Sequence, residues 1–503
     1  MSADVSEQSA PIEDFVIVPD DLPVLGVGVT YFPGLDDLFE AGEELIDVVE
    51  IEPQMFWLRS GESGSSYFLP ERALRRFAQF RQPKLIHSVS LPFAQTAPLD
   101  EQQTSALRHS IDALASPWVS DHLSFNRVSG PGKDFFTGLL LPPIQTPQSV
   151  VVAADNIRTL RSHLQRPVAF ETGVNYLRPL PGEMSDGLFF RSVAEAADCG
   201  ILLDLHNLWT NACNRRQAVL DTIAELPLER IWEVHLGGGE QLQDHWIDGH
   251  SDVPPKALMD LAPQIVSRLP NLKAIVFEIS PDHVEAKKIG VDGLLQQLHH
   301  MHALWNDRPA GQALTQPPAA TSSSSRTKGF THNLPSPTTW EESLGGLVIG
   351  RTEDTLLAAQ LLSDSGVHLL RHLASRARGG MAVSNLPLTW RLLVLNVGPV
   401  RARGVLEEFW ASSPPQLFAA EEASRLGAFL QENVKGVRHL SEVLRYEIAS
   451  QQALSSDKSQ TIPFTCDPLP LLSALCEGRL PAFSETGNFE LTVQAPALMD
   501  KHL

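Results

Sequence analysis

Between residues 22 and 280 the chain alternates two hydropathy patterns. Short, nearly continuous apolar runs rich in valine, isoleucine and leucine are each followed by longer segments with apolar residues at helical spacing and charges between them. The short runs predict strands: LPVLGVGVT (22–30), IDVVEIEP (46–53), KLIHSVSL (84–91), PWVSDHLSF (117–125), PVAFETG (167–173), GILLDLHNL (200–208), RIWEVHLGGG (230–239) and LKAIVFEIS (272–280). ERALRRFAQF, TSALRHSIDALA, PQSVVVAADNIRTLRSHL and GLFFRSVAEAADCG predict the intervening helices. Eight strands alternating with helices over about 250 residues is the arithmetic of an α/β fold, the (β/α)8 TIM barrel. A doubly wound sheet accounts for that count less well.

The pattern breaks twice. Residues 1–21 are polar and acidic and predict a disordered N-terminal segment, leaving 22–308 for the barrel. Residues 309–338 are rich in Pro, Ser, Thr and Gly and read as a flexible linker. Beyond it, TEDTLLAAQLLSDSGVHLLRHLASRA, PVRARGVLEEFWASS and AEEASRLGAFLQENVKGVRHLSEVLRYEIASQQAL have amphipathic helical character, and strands return around TIPFTCDPL and NFELTVQ. Residues 339–503 are thus expected to form a separate, mainly helical α+β domain.

Charge and cysteine content narrow the setting. A net charge of −21 argues against a nucleic-acid partner, which needs a basic footprint, and favours a peptide or small molecule. The four cysteines, Cys199, Cys213, Cys466 and Cys476, form neither a zinc-ribbon spacing nor a dense disulfide framework. The acidic start of the chain does not read as a signal peptide, and no apolar run has membrane-span length. A cytoplasmic protein with no membrane association is expected.

The candidate chemistry lies where the strands end. His87 falls in the third strand, His122 and Glu171 near the ends of the fourth and fifth, Asp204 and His206 in the sixth, and His235 and Glu278 near the ends of the last two. Glu50 and Glu52 occupy the matching part of the second. Asp248 and His250 follow in the loop beyond the seventh strand, after Gly237, Gly238 and Gly239. Strand side chains alternate faces, so Asp204 and His206 are expected to point the same way into one barrel mouth. Unpaired buried charge costs several kcal/mol, and Lys and Arg are scarce at these positions, so bound metal ions are the economical compensation. Nine candidate ligands (His87, His122, Glu171, Asp204, His206, His235, Asp248, His250 and Glu278) exceed the needs of one ion and imply two or three. Imidazole with carboxylate and no thiolate suits iron, manganese or zinc, and leaves redox and hydrolytic chemistry both open.

At these residues the chain resembles the multinuclear non-haem iron-dependent oxidases, including the methanobactin biosynthetic oxidase, which modify ribosomally made peptides. The resemblance rests on GVGVTYF, VVEIEPQMF, HSVSL (87–91), SDHLSF (120–125), ETGVNYLRP (171–179), LLDLHNLWTNACN (202–214), HLGGG (235–239), IDGH (247–250) and FEIS (277–280), in that order. It implies that His87, His122 and Glu171 ligate iron, with Glu171 a bridge, and that Asp204, His235, Asp248, His250 and Glu278 complete the cluster. The chain departs from the family at His206, often asparagine there, at Tyr31–Phe32, where a histidine is frequent, and at Gly239, where many members end the segment in histidine.

The resemblance further implies two or three irons in a mixed-valent Fe(II)/Fe(III) state, dioxygen as cosubstrate, and a ribosomally synthesised precursor peptide oxidised at cysteine, with Glu171, Asp204, His206 and Asp248 at the reacting centre. Family oxidases usually work with a separate partner protein that grips the leader peptide. VLEEFWASSPPQLF and HLSEVLRYEIA are faintly similar to such partners, which suggests that 339–503 is a fused leader-recognition domain replacing them. Two other classes remain: a zinc or manganese barrel hydrolase or isomerase, and a non-catalytic peptide-binding scaffold that holds metal only to fold.

Overall fold

A computed structural model of the chain describes residues 21–60, 66–129, 134–309, 334–351, 354–456, 459–481 and 486–494. Most of the expected N-terminal segment and linker, residues 1–20 and 310–333, lies outside the described residues.

Eight parallel strands close into a barrel: β1 (Gly26–Thr30), β2 (Val48–Ile51), β3 (Lys84–His87), β4 (Val119–His122), β5 (Val168–Glu171), β6 (Gly200–Asp204), β7 (Ile231–Leu236) and β8 (Ala274–Phe277). Each falls inside an expected segment. They neighbour one another in chain order, and β8 closes on β1 through Gly26–Ala274 and the three pairs that follow. Parallel strands in a barrel are covered on both faces, which is why they appear as short, unbroken apolar runs.

The two faces pack separately. Val27, Val49, Ile86, Val119 and Phe170 join the helices around the barrel, whereas Val48, Leu85, Trp118, Ala169, Trp232 and Val276 form a distinct cluster filling its floor. In β7 the pairing with β6 jumps from Ile231 to Glu233, a bulge at Trp232. The bulge lets Trp232 join the floor although Val234, two residues on, packs outward.

Three antiparallel hairpins decorate the barrel: Leu58–Ser60 with Ser66–Phe68, Phe125–Val128 with Phe135–Leu141, and Gly239–Leu242 with His245–Asp248. Phe125 and Gly239, expected to end barrel strands, instead begin hairpins. The sixth strand is expected to run through residue 208. In fact β6 stops at Asp204, whose carboxylate accepts the Asn207 N–H and caps the helix Leu205–Cys213. His206 is therefore helical, and the expected strand alternation with Asp204 does not hold.

Farther along, the run 352–377 that patterned as one helix divides into Leu356–Leu362 and Ser365–Asn385, because Asp364 caps the second by accepting the Gly366 N–H. A second run divides likewise into Ala419–Asn433 and Leu440–Ser456. The expected strands near the C-terminus are Gln460–Cys466 and Thr486–Val493, paired antiparallel.

The helices after residue 336 pack on the barrel loops. Trp340, Leu344, Leu347, Val367 and Leu370 share one buried cluster with Phe125, Phe135, Leu141, Tyr176 and Ile247 from the hairpins and the loop after β5. Trp340 donates its indole N–H to the Pro142 carbonyl at 2.9 Å, and the Arg178 N–H donates to Asp364. A Cβ on Gly366 would lie 2.3 Å from the Tyr176 carbonyl oxygen, so only glycine permits the approach.

Glu341, buried at this junction, accepts from the Thr96 N–H and hydroxyl. Burial pushes its carboxyl up to about 7, although the Thr96 hydrogen bonds oppose the rise. A carboxyl raised on folding stabilises the fold fully below its unfolded pKa, near the ordinary 4.5, and that contribution is lost as pH rises through about 7. The wild type is therefore expected to lose on the order of 3 kcal/mol at this site between pH 5 and 8. In Glu341→Gln the amide can meet both Thr96 groups without charge. Thermal denaturation at a series of pH values should show a flatter profile for the variant, and parallel profiles would refute this assignment.

Candidate metal centre

The polar residues that end the strands meet at the C-terminal mouth of the barrel, where such folds place their sites. His87, His122, Glu171 and Asp204 are the last residues of β3, β4, β5 and β6, so consecutive strands deliver them side by side. His235 lies one residue short of the end of β7, and Glu278 follows β8 directly.

Glu171 is the first junction. Its Oε1 accepts from the Asn207 side chain at 2.8 Å, and its Oε2 lies 3.1 Å from both His87 Nε2 and His122 Nε2. On the far side of the mouth, Glu278 Oε2 lies 3.2 Å from His235 Nδ1 and 3.2 Å from His250 Nε2. Ligand atoms converge in overlapping sets: His87, His122 and Glu171; Glu171, Asp204 and His235; Asp204, His250 and Glu278. Glu171 belongs to the first two sets and Asp204 to the last two, so the sets form a row joined by shared carboxylates. A further set, Glu50, His235 and Glu278, lies against the floor side.

Seven of the nine sequence-selected residues thus enter the row. His206 and Asp248 flank it. His206 Nδ1 lies 3.0 Å from Asp248 Oδ1, and its Nε2 receives the Trp246 indole N–H at 3.1 Å. With both ring nitrogens engaged, His206 holds Asp248, which reaches toward His250 Nε2 at 3.5 Å. Asp248 is held from the other side by its own N–H, which donates to the Tyr176 hydroxyl. Gly239 makes this packing possible, since a Cβ there would meet the Ile247 carbonyl at 1.9 Å and the His206 ring at 2.9 Å.

Sequence reasoning passed over two groups, Glu50 as a selected site residue and Glu233 altogether. Both are fully buried, with Glu50 Oε2 at 3.1 Å and Glu233 Oε1 at 3.5 Å from His235 Nε2. A lone acid inside an otherwise apolar strand was the available signal.

Among the described residues, the ion pairs made by Glu50, Glu171, Glu233, Asp248 and Glu278 are all with histidines. The electrostatics show the resulting tension. Burial pushes Asp204 well above the ordinary carboxylate range, and Glu171, Asp248 and Glu278 push it further. Burial raises Glu50 to about 7 against the pull of His235. Burial would likewise raise Glu278, but His250 and His235 hold it well below its ordinary value. Burial lowers His87, yet the adjoining Glu171 carboxylate outweighs it and carries the imidazole to about 10.

Cations in the row would relieve this tension. Glu171 Oε2 and His235 Nδ1 are buried atoms with no hydrogen-bond partner among the described residues, and both face other ligand atoms. Lone pairs that converge without donors between them, from imidazoles and carboxylates alone, fit divalent or trivalent first-row metal ions.

The barrel has relatives among known proteins. A UPF0276 protein of Streptomyces avermitilis is 31% identical over 252 residues, 49% of this chain and 49% of that protein, so the match spans about half of that relative's length. A UPF0276 protein of Pseudomonas aeruginosa is 32% identical over 219 residues, 43% of this chain and 72% of the relative, and one of Alcanivorax borkumensis is 30% identical over 256 residues, 48% and 81%. Among solved structures, D-psicose 3-epimerase from Clostridium cellulolyticum H10 aligns with a TM-score of 0.35 at 9% identity, covering 56% of this chain and 96% of that one. The profile described as RiPP precursor modification enzyme MbnB/TglH/ChrH matches residues 26–290, the barrel with every residue of the metal row, and the chain belongs to that family.

Proposed function

We propose that the protein is an iron-dependent oxidase that uses dioxygen to modify a ribosomally synthesised precursor peptide at cysteine. The observation that carries this reading is the sharing of Glu171 and Asp204 between successive ligand sets, which suits two or three ions held close together. Iron bound there would supply one-electron chemistry and the reduction of dioxygen.

The chain's own residues divide the remaining work. His87, His122, Glu171, Asp204, His235, His250 and Glu278 hold the ions, and the pair His206–Asp248 borders the third set. The His122 and His250 side chains are 19% and 31% exposed while Glu171 and Glu278 are buried, so the two ends of the row face the mouth from which a peptide approaches. Domains follow the same division: barrel 22–308, the linker expected over 309–338, whose last two residues belong to the helix Pro337–Val348, and 339–503 as the leader-recognition domain in place of a separate partner. Its first helices pack on Tyr176 and Ile247 beside the mouth, which supports that role. The acidic charge favours neither nucleic acid nor an anionic membrane, and among the described residues no helix is long and apolar enough to cross a membrane. The four cysteines are all free thiols, in keeping with a reducing, cytoplasmic setting.

The deciding experiment is elemental analysis of anaerobically purified full-length protein, followed by oxygen-uptake measurements with cysteine-containing precursor peptides encoded nearby. More than one iron per chain and peptide-dependent oxygen uptake are expected. Stoichiometric zinc or manganese with negligible iron would replace the proposal with a hydrolase or isomerase, and bound iron without peptide turnover would leave a binding scaffold.

A further inference from the structure

We propose that Glu50 and Glu233 are positioning residues for His235: Glu50 accepts its Nε2–H on the floor side of the barrel, Glu233 backs the same nitrogen, and together they turn Nδ1 toward the metal row as an electron-rich donor. The inference rests on the row holding metal, of whichever element.

The geometry around the imidazole is one-sided. Nε2 lies 3.1 Å from Glu50 Oε2 and 3.5 Å from Glu233 Oε1, so two carboxylates face one ring nitrogen. A metal ion on Nδ1 would leave the imidazole hydrogen on Nε2, where Glu50 Oε2 lies within hydrogen-bond distance to accept it. Nδ1 faces Glu278 Oε2 at 3.2 Å and has no hydrogen-bond partner among the described residues.

Both carboxylates are fixed from behind. Thr30 donates its hydroxyl to Glu50 Oε1 at 2.8 Å, and Trp118 donates its indole N–H to Glu233 Oε2 at 2.9 Å. Thr30, Trp118, Glu50, Glu233 and His235 are all fully buried, and the Trp232 bulge sets the strand carrying Glu233 and His235.

One N–H needs one acceptor. Two carboxylates around it exceed the hydrogen-bonding need, and Glu233 Oε1 has no hydrogen bond among the described residues. Burying a second carboxylate on an apolar floor is costly unless it serves a neighbouring group, and the imidazole it faces turns its other nitrogen toward Glu278 in the row. Carboxylates behind a ligating imidazole fix its tautomer and strengthen it as a donor. Glu50 and Glu233 fit that role as a pair.

The test is anaerobic titration of the full chain with ferrous iron alone, and separately with zinc alone, against a chelating dye. In Glu50→Gln the amide oxygen can still accept from Nε2 while its N–H2 meets the Thr30 hydroxyl, so the hydrogen bond survives and the charge does not. Affinity for the ion that depends on His235 should fall about 10-fold or more. The same substitution should add nothing in a His235→Ala background. Unchanged affinity, an equal loss with and without His235, or loss of an ion that His235→Ala retains would overturn the proposal, the last by making Glu50 a direct ligand. Should Glu50→Gln fail to fold, Glu233→Gln reads the same cycle. If the cycle holds with zinc while iron does not bind, the positioning role stands and the oxidase reading falls.

Discussion

Glu171→Ala is expected to strip metal from two neighbouring positions at once, whereas His122→Ala strips it from one. Glu171 contributes to the set with His87 and His122 and also to the set with Asp204 and His235; His122 contributes only to the first. Loss of a carboxylate shared by two sets would remove a ligand from each and leave less negative charge to offset any ions held there. Asp204→Ala should behave like Glu171→Ala, since it joins the second and third sets. It would also remove the carboxylate that caps the helix Leu205–Cys213, adding about 1 kcal/mol of destabilisation that Glu171→Ala avoids. Elemental analysis of the three variants beside the wild type measures this directly. Equal losses in Glu171→Ala and His122→Ala would sink the idea of a bridged row, and turnover should fall with metal content by orders of magnitude in the bridging variants.

The parts of this centre legible in the sequence are those that follow from strand burial. A parallel strand covered on both faces tolerates a charged residue poorly in its middle, so His87, His122, Glu171 and Asp204 at the ends of apolar runs stood out as functional. What remained hidden depends on breaks of period. His206 looked like the strand partner of Asp204 because the apolar run continues past it, but Asp204 is itself a helix cap, and one turn of helix carries His206 to Asp248. Glu50, noted by position but not selected as a ligand, and Glu233 were passed over for the opposite reason: they lie within the strands, and only barrel closure brings Thr30, Trp118 and His235 around them. The hairpin Gly239–Leu242 with His245–Asp248 showed as a glycine-rich loop, since its strands are short and polar. The helical C-terminal region was readable by periodicity, while its seat on Tyr176 and Ile247 is a tertiary fact with no local pattern.

Arg216→Met is expected to destabilise the protein by about 3–5 kcal/mol and to loosen the metal centre, although Arg216 touches no residue of the row. Its guanidinium is 2% exposed and its partner Asp186 3%, and the pair is joined through both Nε and Nη2. Nη1 also donates to the Leu177 carbonyl at 2.8 Å and Nη2 to the Gln145 side chain at 3.0 Å. Arg216 follows the helix after β6, Leu177 and Asp186 follow β5, and Gln145 lies beyond the hairpin after β4, so one side chain ties together the loops of three successive strands. Removing it leaves Asp186 as a buried carboxylate without its cation, the costly way to break such a pair. It also frees the loop at Leu177, next to Tyr176, whose hydroxyl receives the Asp248 N–H. Chemical denaturation should register the stability loss, and metal titration should show weaker retention at the end of the row bordered by Asp248. The double variant Arg216→Met, Asp186→Leu should be more stable than either single variant, because it removes the stranded charge along with its partner. A single-variant cost below about 1 kcal/mol would mean that the pair gains little beyond its own desolvation, and that the three loops are held by their apolar contacts instead.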